Sequence, residues 1–277
     1  MIKLVLLDKK EAQKRIIELD DYLNHINSFN INKITDGNIV DKEKFIEFLP
    51  STCLEWSKDK REKIKKIEST LNFRLTMVNF PIELTVYLIQ TNGQDSYNLP
   101  YTRSNIIYIP VKENKKEQLG HLNSHLIIHE IFHILSRKFP QIRDVLYPLM
   151  GFKKITPRFD VEKYVPSYVV NPDAILYNYA TEIKYKNETY KAIPLIFFKD
   201  DKFKWDYMAL LNEDNSLKTI VHRKKTTFKK RKYNTHYLSH VEEICAENFR
   251  KWVMQEENLN NKPLSSTFAN KIRDLFF

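Results

Sequence analysis

Leu126-Ile127-Ile128-His129-Glu130-Ile131-Phe132-His133-Ile134-Leu135 is apolar nearly all round a helix, apart from two histidines and a glutamate in the order H-E-x-x-H. It lies in a run from His121 to Lys138 with no Gly or Pro before Pro140, so the spacing predicts one buried helix. Residues four apart share a helix face, so His129 and His133 can aim their imidazoles at one cation. Glu130, one step round, can reach a water on that cation without taking a ligand position. Placed in such apolar surroundings, these three groups need partners, and a metal supplies them. The competing reading, core histidines satisfied by carboxylates or carbonyls, ranks well below. His121 and His125 extend the same ladder, but each step drifts by about 40°, so they rank as rim residues or as groups behind the ligands rather than as ligands.

Working outward, the first 75 residues read as helical: one segment from Asp8 to about Ser28, a second from Asp41 stopped by Pro50, and a third from about Ser57 to Leu71. The period then changes. Ile82, Leu84, Val86 and Leu88 alternate before Asn92-Gly93, and Asn105–Pro110 is a short strand whose proline favours an edge. Residues 141–175 read as irregular, with Pro148, Pro157, Pro166 and Pro172 spaced through them. Thr181–Tyr185 with Thr189–Phe198, and Tyr207–Leu211 with Thr219–His222, read as hairpins. Helices at about Ser239–Gln255 and Ser265–Phe277 close the chain. This order predicts an α+β fold, with an N-terminal helical region (1–75) packed on a core of residues 76–277 that carries a β-rich insertion at about 180–235.

A catalytic zinc site needs a third protein ligand and an open position. Ser136 and Phe139 stand where a metzincin has its glycine and third histidine, so that route fails. A later helix offers a carboxylate instead, in His240-Val241-Glu242-Glu243-Ile244-Cys245-Ala246-Glu247. Glu243 is assigned as ligand because it alone has an acid four residues on; Glu247 would bond a ligating histidine and fix its tautomer. Glu242 reads as the acidic first turn of a helix capped by Ser239.

On His129-Glu130-x-x-His133 and Glu243-x-x-x-Glu247, the chain resembles the gluzincin class of zinc metallopeptidases, the thermolysin-like group, over about 106–139 and 236–256. The resemblance implies a zincin-like catalytic core with a small mixed sheet, one Zn2+ per chain, and a strand before the metal helix that pairs with an extended peptide, a part that Asn105–Pro110 would play. It also implies a metallopeptidase in which Glu130 is the general base for a zinc-activated water. The sequence departs from the group in two ways: 110 positions separate His133 from Glu243, and Glu247 stands where the group usually has Asp. The tetrahedral intermediate needs a donor beside the metal, and Tyr237 and His240, with His236 behind them, are the local candidates. Asn171-Pro172-Asp173-Ala174 is a turn signature that reads as an ordinary loop, with a place lining the cleft ranked below. Arg137 is offered as a partner for Asp160 or for a substrate carboxylate.

Composition limits the alternatives. The chain has 277 residues and a net charge of +10, long enough to bury a sizeable core. Four glycines and no Gly-rich phosphate loop argue against a nucleotide cradle; two cysteines, Cys53 and Cys245, cannot build a disulfide framework. No signal-peptide core or 18-residue apolar stretch is present, which predicts a cytoplasmic protein with no membrane contact. Seven of the surplus charges sit in Arg223–Lys232, and without them the net charge is +3. That run reads as a solvated loop, with nucleic acid ranked below a peptide or protein substrate as partner. The alternatives to a peptidase are a basic binding protein with a non-catalytic metal and a zinc amidase or esterase acting on a non-peptide substrate.

Overall fold

The computed structural model describes residues 1–80, 82–111, 122–175, 177–200, 202–228, 240–255 and 262–276. The chain divides into two units, Met1–Lys138 with Arg250–Gln255, and Phe139–Phe249 with Glu256–Phe277. Each mixes helices with a sheet, so the fold class is α+β.

In the first unit, strands β1 (Ile2–Leu6), β3 (Leu84–Thr91), β5 (Ile106–Pro110) and β4 (Tyr101–Arg103) lie side by side in that order, and β2 (Cys53–Leu54) also pairs with β3. β1 and β5 run parallel to β3, while β4 is antiparallel to β5. Two expectations need correcting here. The first 75 residues are not wholly helical, because Ile2–Leu6 pairs with Leu84–Leu88 and buries Ile2 and Leu4. Nor is Asn105–Pro110 an edge: β5 lies between β3 and β4, and its proline is tolerated because it ends the strand.

The sheet edge at β1 is closed by α5 (Lys58–Met77), whose apolar edge buries Ile64, Ile67, Leu71 and Leu75. Asn72 accepts from Ile2 N–H at 2.8 Å and donates to Ile2 C=O at 2.9 Å, and Glu68 accepts from Leu4 N–H at 2.5 Å. Side chains thus satisfy backbone groups that an open edge would offer to another strand.

The expected helix over 8–28 is broken into α1 (Lys9–Ile16) and α2 (Asp21–His25), and α3 (Ser28–Ile34) starts where it was to end; the caps Asp8, Asp20 and Asn27 each accept from a backbone N–H three residues on. Helix α4 (Lys42–Thr52) follows, with Pro50 in its last turn.

In the second unit, β7 (Tyr179–Tyr185), β8 (Glu188–Lys199), β9 (Lys202–Leu211) and β10 (Leu217–His222) form an antiparallel meander, extended by β11 (Thr227–Phe228) and β6 (Phe152–Lys154), both against β7. Lys186 and Asn187 both have positive φ, 49° and 67°, which suits the two-residue turn joining β7 to β8. Strand β9 starts earlier than its alternation suggested, so a further hairpin closes at Lys199 and Lys202. The proline-spaced stretch is more ordered than it reads: it contains α7 (Gln141–Leu149) and α8 (Val161–Tyr164), whose cap is Asp160. The chain ends with α10 (Lys262–Arg273), packed on α7.

Candidate metal centre

The H-E-x-x-H stretch forms helix α6 (Ser124–Lys138) of the first unit. Asn123 starts it by accepting from Leu126 N–H at 2.9 Å, and Arg137 and Lys138 complement the dipole in its last turn. It packs against α5, β4 and β5. Ile127, Ile128, Ile131, Phe132, Ile134 and Leu135 are all buried, as its nearly continuous apolar surface requires. Among them Glu130 and His133 are 4 % and 1 % exposed, and His129 is half-buried. The His129 and His133 rings have centroids 5.0 Å apart at 78°, so the i, i+4 spacing puts both on one face.

His125 is half-buried, and Arg250 Nη1 donates to its Nδ1 at 2.7 Å. His121 lies outside the described residues. Arg137 holds the end of α6 to β4 by donating to Ser104 C=O at 3.0 Å and Thr102 Oγ1 at 3.0 Å. Asp160, its proposed partner, accepts from Lys163 N–H at the start of α8.

Helix α9 (Val241–Met254) carries the acidic pair, with Val241–Phe249 belonging to the second unit. His240 precedes it, buried, with Nδ1 accepting from Glu242 N–H at 3.1 Å and its ring edge-on to Tyr177. It therefore takes a capping part of the kind assigned to Ser239, which lies outside the described residues.

Glu242 lies in the first turn as read, but it also makes buried contacts that this reading did not include. It is 1 % exposed, the Tyr147 hydroxyl donates to its Oε2, and Arg143 Nε is 3.6 Å from that oxygen. Burial, then the charge of Glu242, holds the Tyr147 phenol well above its ordinary range. Burial opposes the Arg143 charge, but Glu242, Tyr147, Tyr179 and Asp144 together outweigh it and the guanidinium stays ionised. The two neighbouring glutamates thus have different surroundings: Glu242 is buried against α7, and Glu243 meets a loop.

That loop is Asn171-Pro172-Asp173-Ala174, for which the sequence ranks an ordinary turn above a part in the cleft. Asn171 Nδ2 donates to Glu243 Oε1 at 2.9 Å, and Asn171 Oδ1 accepts from Asp173 N–H at 2.9 Å. Asp173 is buried, and so is Glu247, one turn beyond Glu243 on α9. Tyr237 and His236 lie outside the described residues, as does Lys229–Lys232 of the basic run. Within the described part of that run, Arg223 is paired with Asp206 at 3.2 Å.

The first unit therefore gathers His129, Glu130 and His133, while the second fastens Glu243 to Asn171 and Glu242 to Tyr147 and Arg143. Asn171 was reached by sequence reasoning only as part of a turn, and Tyr147 and Arg143 were not reached. The Asn-Pro dipeptide was the only signal for the first, and it marks a turn without saying what the amide touches. Among the described residues, no helix is long and apolar enough to cross a membrane. Comparison with protein-family models, curated proteins and solved structures finds no match.

Proposed function

We propose that this chain is a zinc-dependent hydrolase of gluzincin type, cleaving peptide bonds, in which His129, His133 and Glu243 hold one zinc ion and Glu130 is the general base. The observation that carries the reading is the burial of Glu130 and His133 in the middle of α6, with the His129 ring on the same face. Ionisable groups are rarely placed in an apolar helix without a compensating function. The donor set also suits the metal: two imidazoles and a carboxylate each offer one ligand atom, and zinc takes such N and O donors. The packing of α6 against β4 and β5 of a small mixed sheet supports the zincin-like core that the resemblance implies.

Zinc held there would polarise a carbonyl and lower the pKa of a water towards about 7. The residues would do the rest. Glu130 accepts the proton of the attacking water and returns it to the leaving amine. His240 accepts a hydrogen bond at Nδ1 from Glu242 N–H, and in this account its Nε2–H would serve as a donor to developing negative charge. Tyr237 is the second donor in this account. Glu247 would bond a ligating histidine and fix its tautomer.

The test is Glu130→Gln in the full chain, assayed on a mixed peptide library together with simple amide and ester substrates. The variant should keep its zinc and lose peptide cleavage by about 10²–10⁴-fold. A variant as active as the unsubstituted protein would remove Glu130 from the mechanism. Turnover of esters or small amides without peptides would move the reading to another acyl substrate.

A further inference from the structure

We infer that Asn171 is a positioning residue for Glu243, setting its carboxylate so that Oε1 is held by the protein and ligation falls to Oε2. The inference rests on the zinc reading of Glu243 given above. The orientation of the Asn171 amide is fixed by its two partners. Its Oδ1 faces the Asp173 N–H, a donor, and its Nδ2 faces a carboxylate, an acceptor, so reversing the amide would spoil both contacts.

The loop is held as well. Val169 N–H bonds to Ile196 C=O of β8 at 2.9 Å, Ala174 N–H closes back on Asn171 C=O at 3.1 Å, and Pro172 fixes its own φ. On the other side, Glu243 follows a residue that Tyr147 and Arg143 anchor to α7. The grip is also chemically selective. A neutral amide orients a carboxylate without cancelling its charge, whereas a lysine or arginine in its place would compete with the cation. Hydrogen-bonded ligands of this kind control metal affinity through the atoms they hold.

Two substitutions separate this role from a merely structural one. Asn171→Ser keeps an oxygen that can accept from the Asp173 N–H and removes the amide that reaches Glu243. Asn171→Ala removes both. The measurements are zinc dissociation constants of the full chain, by competition with a chromophoric chelator, and the thermal midpoint of the metal-free protein. Both variants should bind zinc about 10–100-fold more weakly, while the serine variant keeps the metal-free midpoint.

Zinc binding by Asn171→Ser equal to that of the unsubstituted chain, with Glu243→Ala still weakening it, would overturn the positioning role alone. A metal-free midpoint that falls equally in both variants, alongside the loss of zinc, would assign the effect to the turn and overturn it too. Unchanged zinc affinity in Glu243→Ala would overturn this inference together with the metal reading beneath it.

Discussion

The Tyr147 hydroxyl donates a hydrogen bond to Glu242, and both side chains are buried in the second unit. Tyr147→Phe removes that donor and little else. A buried carboxylate that loses a hydrogen bond costs about 1–3 kcal/mol, so the variant should unfold at lower urea concentration by that margin. An unchanged urea midpoint would show that Tyr147 does not hold the start of α9.

Arg103 makes a comparable tie in the first unit. It is 3 % exposed, bonds Asp20 Oδ2 at 2.6 Å, and donates to Ile16 C=O at 2.8 Å and Glu18 C=O at 2.5 Å. Since Asp20 also caps α2, one carboxylate joins two elements. Removing one partner of a buried pair costs about 3–5 kcal/mol, which is the loss expected for Arg103→Met by chemical denaturation. Arg103→Lys should recover only part of it, because a single ammonium cannot span the guanidinium's three acceptors.

At the β1 edge, Asn72→Ala and Glu68→Ala should each destabilise by about 0.5–1.5 kcal/mol through the lost hydrogen bond. Hydrogen exchange at the Ile2 and Leu4 amides should accelerate in the corresponding variant. Exchange that stays at the original rate would show that another group covers the edge.

Cys53 and Cys245 are both free thiols, and both are buried. Burial pushes the Cys53 thiol from its ordinary 9.0 to about 12, with Asp95 adding to the shift, and burial raises Cys245 as well. The folded chain keeps those protons where the unfolded chain loses them. The contribution of each to stability is therefore intact below pH 9 and is lost as pH rises above it, for Cys53 towards about 12. At pH 8 neither thiol should react with an aromatic disulfide reagent until denaturant is added; rapid reaction of the native protein would contradict their burial.

How far the sequence could be read depended on whether a residue's role was written in its neighbours. Helix α6 was legible because ten consecutive residues specify both its period and its burial, and H-E-x-x-H fixes which face carries the ionisable groups. The first two hairpins were legible for the same reason, alternation broken by turn residues. Strand β1 was missed because five aliphatic-rich residues fit a helix or a strand equally well until Leu84–Leu88 is there to pair with them. The edge assignment for Asn105–Pro110 failed because a proline ends an interior strand as easily as it marks an edge.

At the candidate site, His129, Glu130 and His133 were visible as a local motif, and Glu243 through its partner four residues on. The burial of Glu242 was not visible, because it depends on Tyr147 and Arg143, about a hundred positions earlier. Asn171 was hidden for a similar reason: its turn is local, but the carboxylate it grips is 72 residues away.

The central claim is that His129, His133 and Glu243 share one ion. Its most direct test is the zinc content of the purified full chain by elemental analysis, beside His133→Ala and Glu243→Ala. The account predicts one zinc per chain in the unsubstituted protein and loss of that zinc in both variants. A protein that binds no zinc, or a Glu243→Ala variant that retains it in full, would contradict the account.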